Sequence, residues 1–168
     1  MDRTIGRIER ECGVPGPLSH FGALVLSSAG RDETDCAFDL SALGTHIRFY
    51  LRALRGYLGA TVPLFVFAPD LHGHARRELL TTSLLSQLEL EFEHVSCAYD
   101  EGRTEGRGYY TGLCLHIDAT TQSGHRLQLV DGGTVDWAQK LLANARERLL
   151  ISGIGSDRVC TEFEGVQG

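Results

Sequence analysis

The stretch YYTGLCLHIDATTQSGHRLQLVD, residues 109–131, decides the fold class of this chain. Polar and apolar residues alternate along LCLHIDA (113–119) and along HRLQLVD (125–131), which is the two-residue period of a strand with one buried face. The polar residues TTQSG between them are typical of a hairpin turn. With the extended segment FEHVSCAYD (92–100) upstream, the pattern predicts an antiparallel meander.

The first half of the chain alternates predicted strands with predicted helices. GALVLSS (22–28) is a short apolar run typical of a buried strand. From Asp39 the apolar residues recur at spacings of three and four, which predicts a helix that ends near Gly59. TVPLFVFA (61–68) then predicts a strand, and RRELLTTSLLSQLEL (76–90) predicts a second helix.

The last third of the chain predicts a helix, a strand and a helix. Asp136 is placed to cap a helix that runs to about Arg148, and LLISGIG (149–155) is typical of a strand that ends in glycines. Ser156 or Asp157 could open the last helix. Strand runs mixed with helical layers indicate an α+β fold, in which an antiparallel sheet is flanked by helices.

Length and composition indicate one globular domain. We expect residues 1–21, which are charged, rich in Gly and Pro and without a period, to form an arm, and residues 22–168 to form the domain. The 42% hydrophobic content without a long apolar run excludes a membrane span. The charged start lacks the apolar core of a secretory signal, so a cytoplasmic location is expected.

Charge and cysteine spacing argue against two classes of site. The net charge of −6 and a single lysine do not favour nucleic-acid binding, so tRNA binding by the isolated chain is not expected. Five cysteines without a C-x-x-C pair predict reduced thiols rather than zinc ligands or disulfides. His72 and His74 in HGH could bind a metal, but without a third ligand they favour solvated or capping side chains, and no metal site is expected.

The segment LLISGIGSDRV (149–159) places Gly153 and Gly155 at the end of a strand and Arg158 at the start of a helix. Glycines permit close approach of a ligand to the backbone, and a guanidinium offers fixed donors to phosphate oxygens. A nucleotide could therefore bind there, but on its own a G-x-G turn between a strand and a helix is more often a plain connection.

Three segments together resemble class II aminoacyl-tRNA synthetases of the histidyl-tRNA synthetase kind. GRGYYTGLCLHI (106–117), VDGGTVDW (130–137) and GIGSDRV (153–159) keep the order and approximate spacing of the family segments RGLDYYTG, GGRYD and the GxGxxR of motif 3. The similarity extends from about Gly22 to Val159. It implies part of the antiparallel class II catalytic sheet, with the glycine-rich motif 3 strand leading into a helix.

The resemblance implies two groups of binding residues. Arg158 corresponds to the motif 3 arginine that contacts ATP, and it lies with Gly153 and Gly155 in the implied nucleotide site. The cofactors that the family implies are ATP and Mg²⁺, without zinc. The implied amino-acid pocket consists of Tyr109, Tyr110, Thr111, Gly112, Gly132 and Gly133.

The sequence also departs from the family pattern. The family segment begins with an Arg that contacts substrate, and at the same distance before Tyr109 this chain has Glu105. Arg107 fills that position if two residues are deleted, so Glu105 and Arg107 are the catalytic candidates. Thr134 and Val135 stand where the family has Arg and Tyr. Motifs 1 and 2 are not found, and losing the motif 2 arginine removes a stabiliser of the α-phosphate.

Three functions remain open at this stage. The first is a synthetase-like paralogue that binds an amino acid or an adenylate ligand, and that activates amino acids, if at all, with a partner and ATP. The second is a non-catalytic regulatory subunit like the histidyl-synthetase-related subunit of ATP phosphoribosyltransferase. The third is an enzyme with the pocket repurposed for an amino-acid derivative, in which Glu105, His116 or Cys114 acts. A second copy or another chain is expected as a partner, because the motif 1 interface is missing.

Several other residues have a functional and a structural interpretation. His116 and Asp118 share one face of a strand and could project into a pocket. Cys114 is expected to be a buried inert thiol, because no cationic neighbour is evident to activate it. Trp137 is expected to anchor a helix on the sheet rather than stack on a ligand. An exposed helix face is expected to carry three arginines, with a phosphate-binding stripe as the alternative: Arg48, Arg52 and Arg55.

Overall fold

The computed structural model describes residues 22–32, 36–71, 75–103, 106 and 108–163. The strands in this part of the chain are β1 (Ala23–Arg31), β2 (Leu64–Phe67), β3 (Val95–Ala98), β4 (Cys114–Thr120), β5 (Arg126–Val135) and β6 (Glu147–Gly155). The helices are α1 (Ala37–Leu58), α2 (Arg77–Leu80), α3 (Ser86–Glu91), α4 (Trp137–Leu142) and α5 (Ser156–Glu162), and a π-helical turn, Thr81–Leu85, joins α2 to α3.

The strands form one sheet in the order β1-β6-β5-β4-β2-β3. The hairpin predicted from residues 109–131 is confirmed as β4 and β5, with Gly124 at a φ of 83° in its turn. The pairing register shifts at a bulge between Ile117 and Asp118. The predicted α+β class, a sheet flanked by helices, is confirmed.

The prediction that residues 92–100 belong to the antiparallel meander is wrong. β3 pairs in parallel with β2 at the edge of the sheet, and β2 in turn pairs antiparallel with β4. A parallel pair needs a crossover connection, and the helical segment from α2 to α3 supplies it. Period alone cannot distinguish the two directions, because both give the same alternation of side chains.

Helices α1, α3 and α5 contribute buried side chains to a single core. Leu43, Ile47 and Leu51 of α1 are fully buried in the same cluster as Leu115 and Ile117 of β4. Because side chains alternate along a strand, the residues between them point to the opposite face. We define the open face as the side of the sheet opposite α1, which carries Cys114, His116 and Asp118 on β4, Asp131 on β5 and Gly153 on β6.

The helix predicted from Asp136 to about Arg148 is much shorter. α4 ends at Leu142, and Ala143 takes a left-handed conformation with a φ of 49°. The carboxylate of Asp136 makes no capping hydrogen bond and instead pairs with Lys140 at 2.9 Å. The residues from Glu147 onward form β6, which pairs with β1 and β5. These strand pairings outweigh the local preference for helix.

β1 is an edge strand rather than the buried strand predicted from GALVLSS. It pairs only with β6 among the strands of the described chain, and Leu24 and Val25 are 46% and 62% exposed. It also extends to Arg31, which forms an ion pair with Glu147 at 2.5 Å, so the predicted turn begins later. The arm predicted for residues 1–21 lies outside the described residues. In the described part, no helix has the length and apolar character needed to cross a bilayer.

Candidate functional site

A hydrogen-bonded group of side chains surrounds Asp131 on the open face. Tyr110 donates its hydroxyl to Oδ2 of Asp131 at 2.9 Å, and Nη2 of Arg103 donates to Oδ1 at 2.6 Å. Nη1 of Arg103 donates to Nδ1 of His116 at 3.1 Å. The ring of His116 stacks on Phe67 with centroids 4.5 Å apart. We refer to Arg103, Tyr110, His116 and Asp131 as the Asp131 cluster.

The register of the sheet brings these residues together. His116 lies opposite Asp131 in the β4–β5 pair and opposite Phe67 in the β2–β4 pair. Tyr110 lies against β5 at Gly133, where an added Cβ would come within 2.8 Å of its ring. A glycine is therefore needed at this position for the Tyr110 ring to reach Asp131.

Burial shifts the pKa values of three side chains in the cluster. It lowers the pKa of His116 and raises the pKa of Tyr110, which the Asp131 charge raises further. The pKa of Arg103 is raised. Burial alone would lower it, but the hydrogen bond to Asp131 and the charge of Asp131 outweigh that effect. A guanidinium only donates, so Nδ1 of His116 accepts and its proton resides on Nε2. The cluster thus offers an N–H donor at His116 and a carboxylate, Asp131, whose side chain is 41% exposed.

An aromatic edge borders the cluster. Tyr109 packs edge-on against Tyr110 with centroids 5.0 Å apart and against Trp137 at 5.8 Å. Tyr109 and Trp137 are 49% and 47% exposed. The expectation that Trp137 anchors α4 on the sheet is wrong, because half of its surface faces solvent and α4 has no buried residue.

The predicted nucleotide residues lie beside the cluster. Gly153 is opposite Asp131 in the β5–β6 pair, and a Cβ built on it would meet no atom closer than 3.6 Å. A Cβ on Gly155 would meet nothing within 4 Å. Nη1 of Arg158 donates to the main-chain oxygen of Gln128 at 3.0 Å, and Nε2 of Gln128 lies 3.4 Å from Oδ1 of Asp131. Arg158 is therefore connected to the Asp131 cluster through one residue.

The remaining amino-acid candidates face the other way. Thr111 and Gly112 line a cavity that also contains residues of α1. A Cβ on Gly132 would collide with the side chain of Ser152, which lies on the helix side of the sheet. The predicted Tyr-Tyr-Thr-Gly surface is thus divided, with Tyr110 in the Asp131 cluster and Thr111 and Gly112 at the cavity.

The cavity has a volume of about 390 Å³ and is lined by polar and apolar atoms in similar amounts. It lies at the N-terminal end of α1, between the end of β5, α4 and the start of β6. We refer to it as the helix-side cavity. Its polar side chains include Asp39, Arg76, Thr111, Thr134, Gln139 and Arg148. Thr134 and Val135, which replace the Arg and Tyr of the family segment, both line it.

Two further candidates on β4 differ in what they can do. Cys114 is fully buried, and burial raises the pKa of its thiol to about 12, so it is unsuited to act as a nucleophile at neutral pH. Burial also raises the pKa of Asp118, whose Oδ1 is buried and accepts no hydrogen bond from the described residues. The catalytic candidates Glu105 and Arg107 lie outside the described residues.

Metal binding has no visible site in this part of the chain. No three His, Cys, Asp or Glu side chains of the described residues come close enough together to hold a metal ion. His72 and His74 lie outside those residues.

The three arginines of α1 have structural partners. Nε of Arg48 donates to Oε2 of Glu91 at 2.6 Å, and Nη2 of Arg52 donates to Oε1 at 3.0 Å. Arg55 donates to the main-chain oxygens of Val62 and Glu93. These bonds connect α1 to α3 and to the segments beside it, so the structural interpretation of the arginines is favoured over a phosphate-binding stripe.

The sequence alone did not reveal Arg103 or Asp131. If the predicted hairpin paired regularly from its turn, His116 would lie opposite Val130, and the side chain of Asp131 would point toward the core. The bulge after Ile117 adds one residue to β5 and brings Asp131 to the open face. Arg103 comes from the irregular segment before β4, where no period exists to place it.

The fold is similar to that of histidyl-tRNA synthetase. The crystal structure of the apo enzyme from S. aureus superposes on this chain with a TM-score of 0.57 and 17% sequence identity. The match covers 86% of this chain and 40% of the synthetase, so the chain spans less than half of that enzyme. At this identity the similarity shows the fold alone. No family model matches the sequence, and no curated protein matches it.

Proposed function

We propose that this chain is a histidyl-tRNA synthetase-like paralogue that binds an amino acid or an aminoacyl-adenylate type of ligand on its open face. The similarity of fold supports the first part of the proposal. The Asp131 cluster supports the second, because it combines an accessible carboxylate with oriented donors on the open face of the sheet.

The chemistry of the cluster suits an amino acid. Asp131 is held by Arg103 and Tyr110, so its carboxylate is oriented before a ligand ammonium reaches it. The Nε2–H of His116 can donate to a carboxylate or carbonyl oxygen of the same ligand. Tyr109 supplies an exposed aromatic surface against which an apolar or imidazole side chain can pack.

The glycines of β6 suit the phosphate part of a nucleotide. A Cβ at Gly155 would meet nothing within 4 Å and one at Gly153 nothing closer than 3.6 Å, so a ligand can approach the backbone there. Arg158 uses one of its five N–H donors on Gln128 and keeps others for phosphate oxygens. ATP is the nucleotide that the synthetase-like fold favours. Mg²⁺ would accompany the ATP, since this ion is usually bound by substrate phosphates together with one or two carboxylates.

Amino-acid activation by this chain alone is not part of the proposal. Adenylation depends on cationic groups that stabilise the α-phosphate, and the positions of the family Arg and Tyr carry Thr134 and Val135, both buried. We propose that a second copy or a different chain supplies the missing groups if turnover occurs. The exposed Leu24 and Val25 on the edge strand β1 are apolar surface that such a partner could cover.

The first test is calorimetric titration of the purified chain with histidine, with ATP and with a non-hydrolysable histidyl-adenylate analogue. We expect saturable binding of the analogue, weakened about ten-fold by Tyr110→Phe, because a hydrogen bond to a charged group contributes about 1.5–3 kcal/mol. Tyr57→Phe, on the exposed side of α1, is the matched control and should bind as the parent does. Arg158→Ala should weaken the analogue and ATP but leave histidine binding unchanged.

The alternatives predict different patterns in the same titration. Binding of histidine without ATP would favour a non-catalytic regulatory subunit. Absence of heat with all three ligands would contradict the proposal and favour a pocket repurposed for another amino-acid derivative. Equal weakening by Tyr110→Phe and Tyr57→Phe would place the ligand away from the Asp131 cluster.

A further inference from the structure

The outer side of β1 is a long strand edge without a partner in the described part of the chain. All residues of Ala23–Arg31 pair with β6 in one register without a bulge, and no described strand pairs with their other side. Proteins protect such edges with charge, proline, a bulge or a covering segment. β1 contains no proline and no lysine, and its single charged residue, Arg31, stands at its end. An edge of this kind is suited to pairing with another strand.

The outward main-chain groups of β1 belong to its odd-numbered residues. The main-chain oxygen of Gly22 accepts from the N–H of Ser156 at 3.0 Å, and the N–H of Asp32 donates to the main-chain oxygen of Arg146 at 2.9 Å. In an antiparallel strand, residues direct their main-chain groups alternately to one neighbouring strand and to the other. Since Gly22 and Asp32 both bond on the β6 side and the register between them is unbroken, the even-numbered residues bond to β6. The odd-numbered residues therefore present N–H and C=O to the free edge.

We propose that two copies of this chain pair through β1, antiparallel and in a register centred on Ser27. Ser27 of each copy would then lie opposite the partner's Ser27, with Val25 opposite the partner's Ala29. Every outward N–H and C=O of β1 would form a hydrogen bond between the copies, because two odd-numbered residues face each other at each position. The two six-stranded sheets would join into one.

The side chains on the helix side of the sheet fit each other in this register. Leu24 is 46% exposed and would lie opposite the partner's Gly30. The ring of Phe38 lies over Gly30 of its own chain, in the place that a side chain at this glycine would take. Leu24 would therefore pack against the aromatic ring of the partner's Phe38. A second copy offers this contact twice, because the two-fold axis repeats it at the other end of the strand pair.

Charge favours the same arrangement on the outer surface. The side chain of Arg31, at the C-terminal end of β1, is 60% exposed. Asp157 lies beside the N-terminal end of the strand, where its Oδ2 accepts from the N–H of Gly22 at 2.7 Å. Antiparallel pairing brings each Arg31 to the end of the partner's strand that carries Asp157, and opposite charges on neighbouring strands attract. A parallel arrangement would instead place like charges side by side.

The β1 pairing would identify the partner that the proposed function calls for, and its role in turnover rests on that proposed function. Antiparallel pairing keeps the two open faces on the same side of the joined sheet, so both Asp131 clusters stay accessible. The cluster uses β4, β5 and the segment before β4 rather than β1. The pairing can therefore be tested without any ligand.

The test is sedimentation velocity of the full chain over a wide range of concentrations. We expect a dimer with twice the 18.4 kDa mass of one chain, which dissociates on dilution. Ser27→Lys and Ser27→Glu should each weaken dimerisation about ten-fold or more, because identical charges would lie directly opposite each other. An equimolar mixture of the two variants should dimerise again, since each lysine then meets a glutamate. Only a residue on the two-fold axis meets its own copy in this way.

The matched control uses an exposed residue away from β1. Leu90 is 90% exposed on α3, which lies beside the other edge strand, β3. Leu90→Lys and Leu90→Glu should each dimerise as the parent does, and mixing them should change nothing. Circular dichroism melting curves show whether the Ser27 variants are folded. We expect them to fold, because Ser27 is exposed and directs its N–H away from β6.

Each of four outcomes would overturn the inference. They are a chain that sediments as a monomer at every concentration, a dimer that folded Ser27 variants leave intact, a mixture of those variants that does not restore the dimer, and an equal loss with the Leu90 variants. A monomer that still binds the adenylate analogue would reject the β1 pairing and leave the open-face proposal standing. A dimer that fails to bind the analogue would do the reverse.

Discussion

At the scale of single residues, Asp39 is a buried acidic residue beside the helix-side cavity. Burial raises the pKa of its carboxyl group, although Arg148 opposes the shift, and the charges of Asp32 and Arg76 also act on it. The folded state therefore binds a proton at Asp39 more tightly than the unfolded state does. The stabilisation that results is present at low pH and is lost as the pH rises through the raised pKa.

Asp39→Asn is accordingly expected to raise the free energy of unfolding at pH 8. The substitution removes a buried charge and keeps nearly the same side-chain shape, and burial disfavours the charged form of the carboxyl group. Urea denaturation at pH 8 and pH 4 measures the difference, which should shrink at the lower pH because Asp39 is then protonated. An Asn variant less stable than the parent at pH 8 would show that the attraction between Asp39 and Arg148 outweighs the cost of burying the charge.

Cys114 is expected to resist thiol reagents in the folded chain. Burial raises its pKa to about 12, so almost no thiolate is present at pH 8. Cys160 is exposed and serves as the internal control. Peptide mass spectrometry after brief treatment with iodoacetamide should find Cys160 modified and Cys114 unmodified until denaturant is added. Rapid modification of Cys114 in the folded chain would restore it as a candidate nucleophile.

At the scale of elements, the glycines of β5 and β6 serve different purposes although they look alike in sequence. Gly132 faces Ser152 across the strand pair with no room for a methyl group, whereas Gly153 has ordinary space around it. The first glycine allows two strands and α1 to pack closely, since Ser152 bonds to both His46 and Tyr50 of that helix. The second leaves the open face uncovered.

These differences give opposite expectations for alanine substitution. Gly132→Ala should destabilise the fold by about 1–3 kcal/mol, because added atoms in a tightly packed site force neighbours to move. Gly153→Ala should leave the melting temperature nearly unchanged and weaken the adenylate analogue in calorimetry. Gly155→Ala is a suitable companion, since its site is equally open. Normal binding of the analogue by Gly153→Ala would show that the ligand does not contact β6 at this position.

At the scale of the whole molecule, one sheet presents two chemically different faces. The open face carries a carboxylate, Asp131, held by two donors, and the helix side carries a cavity lined by Asp39, Arg76 and Arg148. The similarity to histidyl-tRNA synthetase covers 86% of this chain but only 40% of that enzyme. The activities of the larger protein therefore cannot be transferred as a whole, and the two faces must be tested separately.

The sequence by itself determined the elements whose signal is local. The amphipathic period from Asp39 onward predicted α1, the alternation in residues 109–131 predicted the β4–β5 hairpin, and the glycine-rich segment predicted β6 followed by α5. These elements can be predicted from short stretches of sequence, because hydrophobic periodicity and the residue preferences of turns extend over only a few residues. The motif resemblance also indicated the synthetase-like fold, which the structural similarity supports.

Only the tertiary structure decided what depends on distant parts of the chain. The parallel pairing of β3, the edge position of β1 and the early end of α4 depend on strand partners far away in sequence. The Asp131 cluster depends on one bulge residue that changes which face Asp131 occupies. The helix-side cavity brings α1 to the ends of β5 and β6, and no local pattern reports a space between elements. Long-range packing therefore positioned both candidate sites, although local sequence had already formed most of the strands and helices around them.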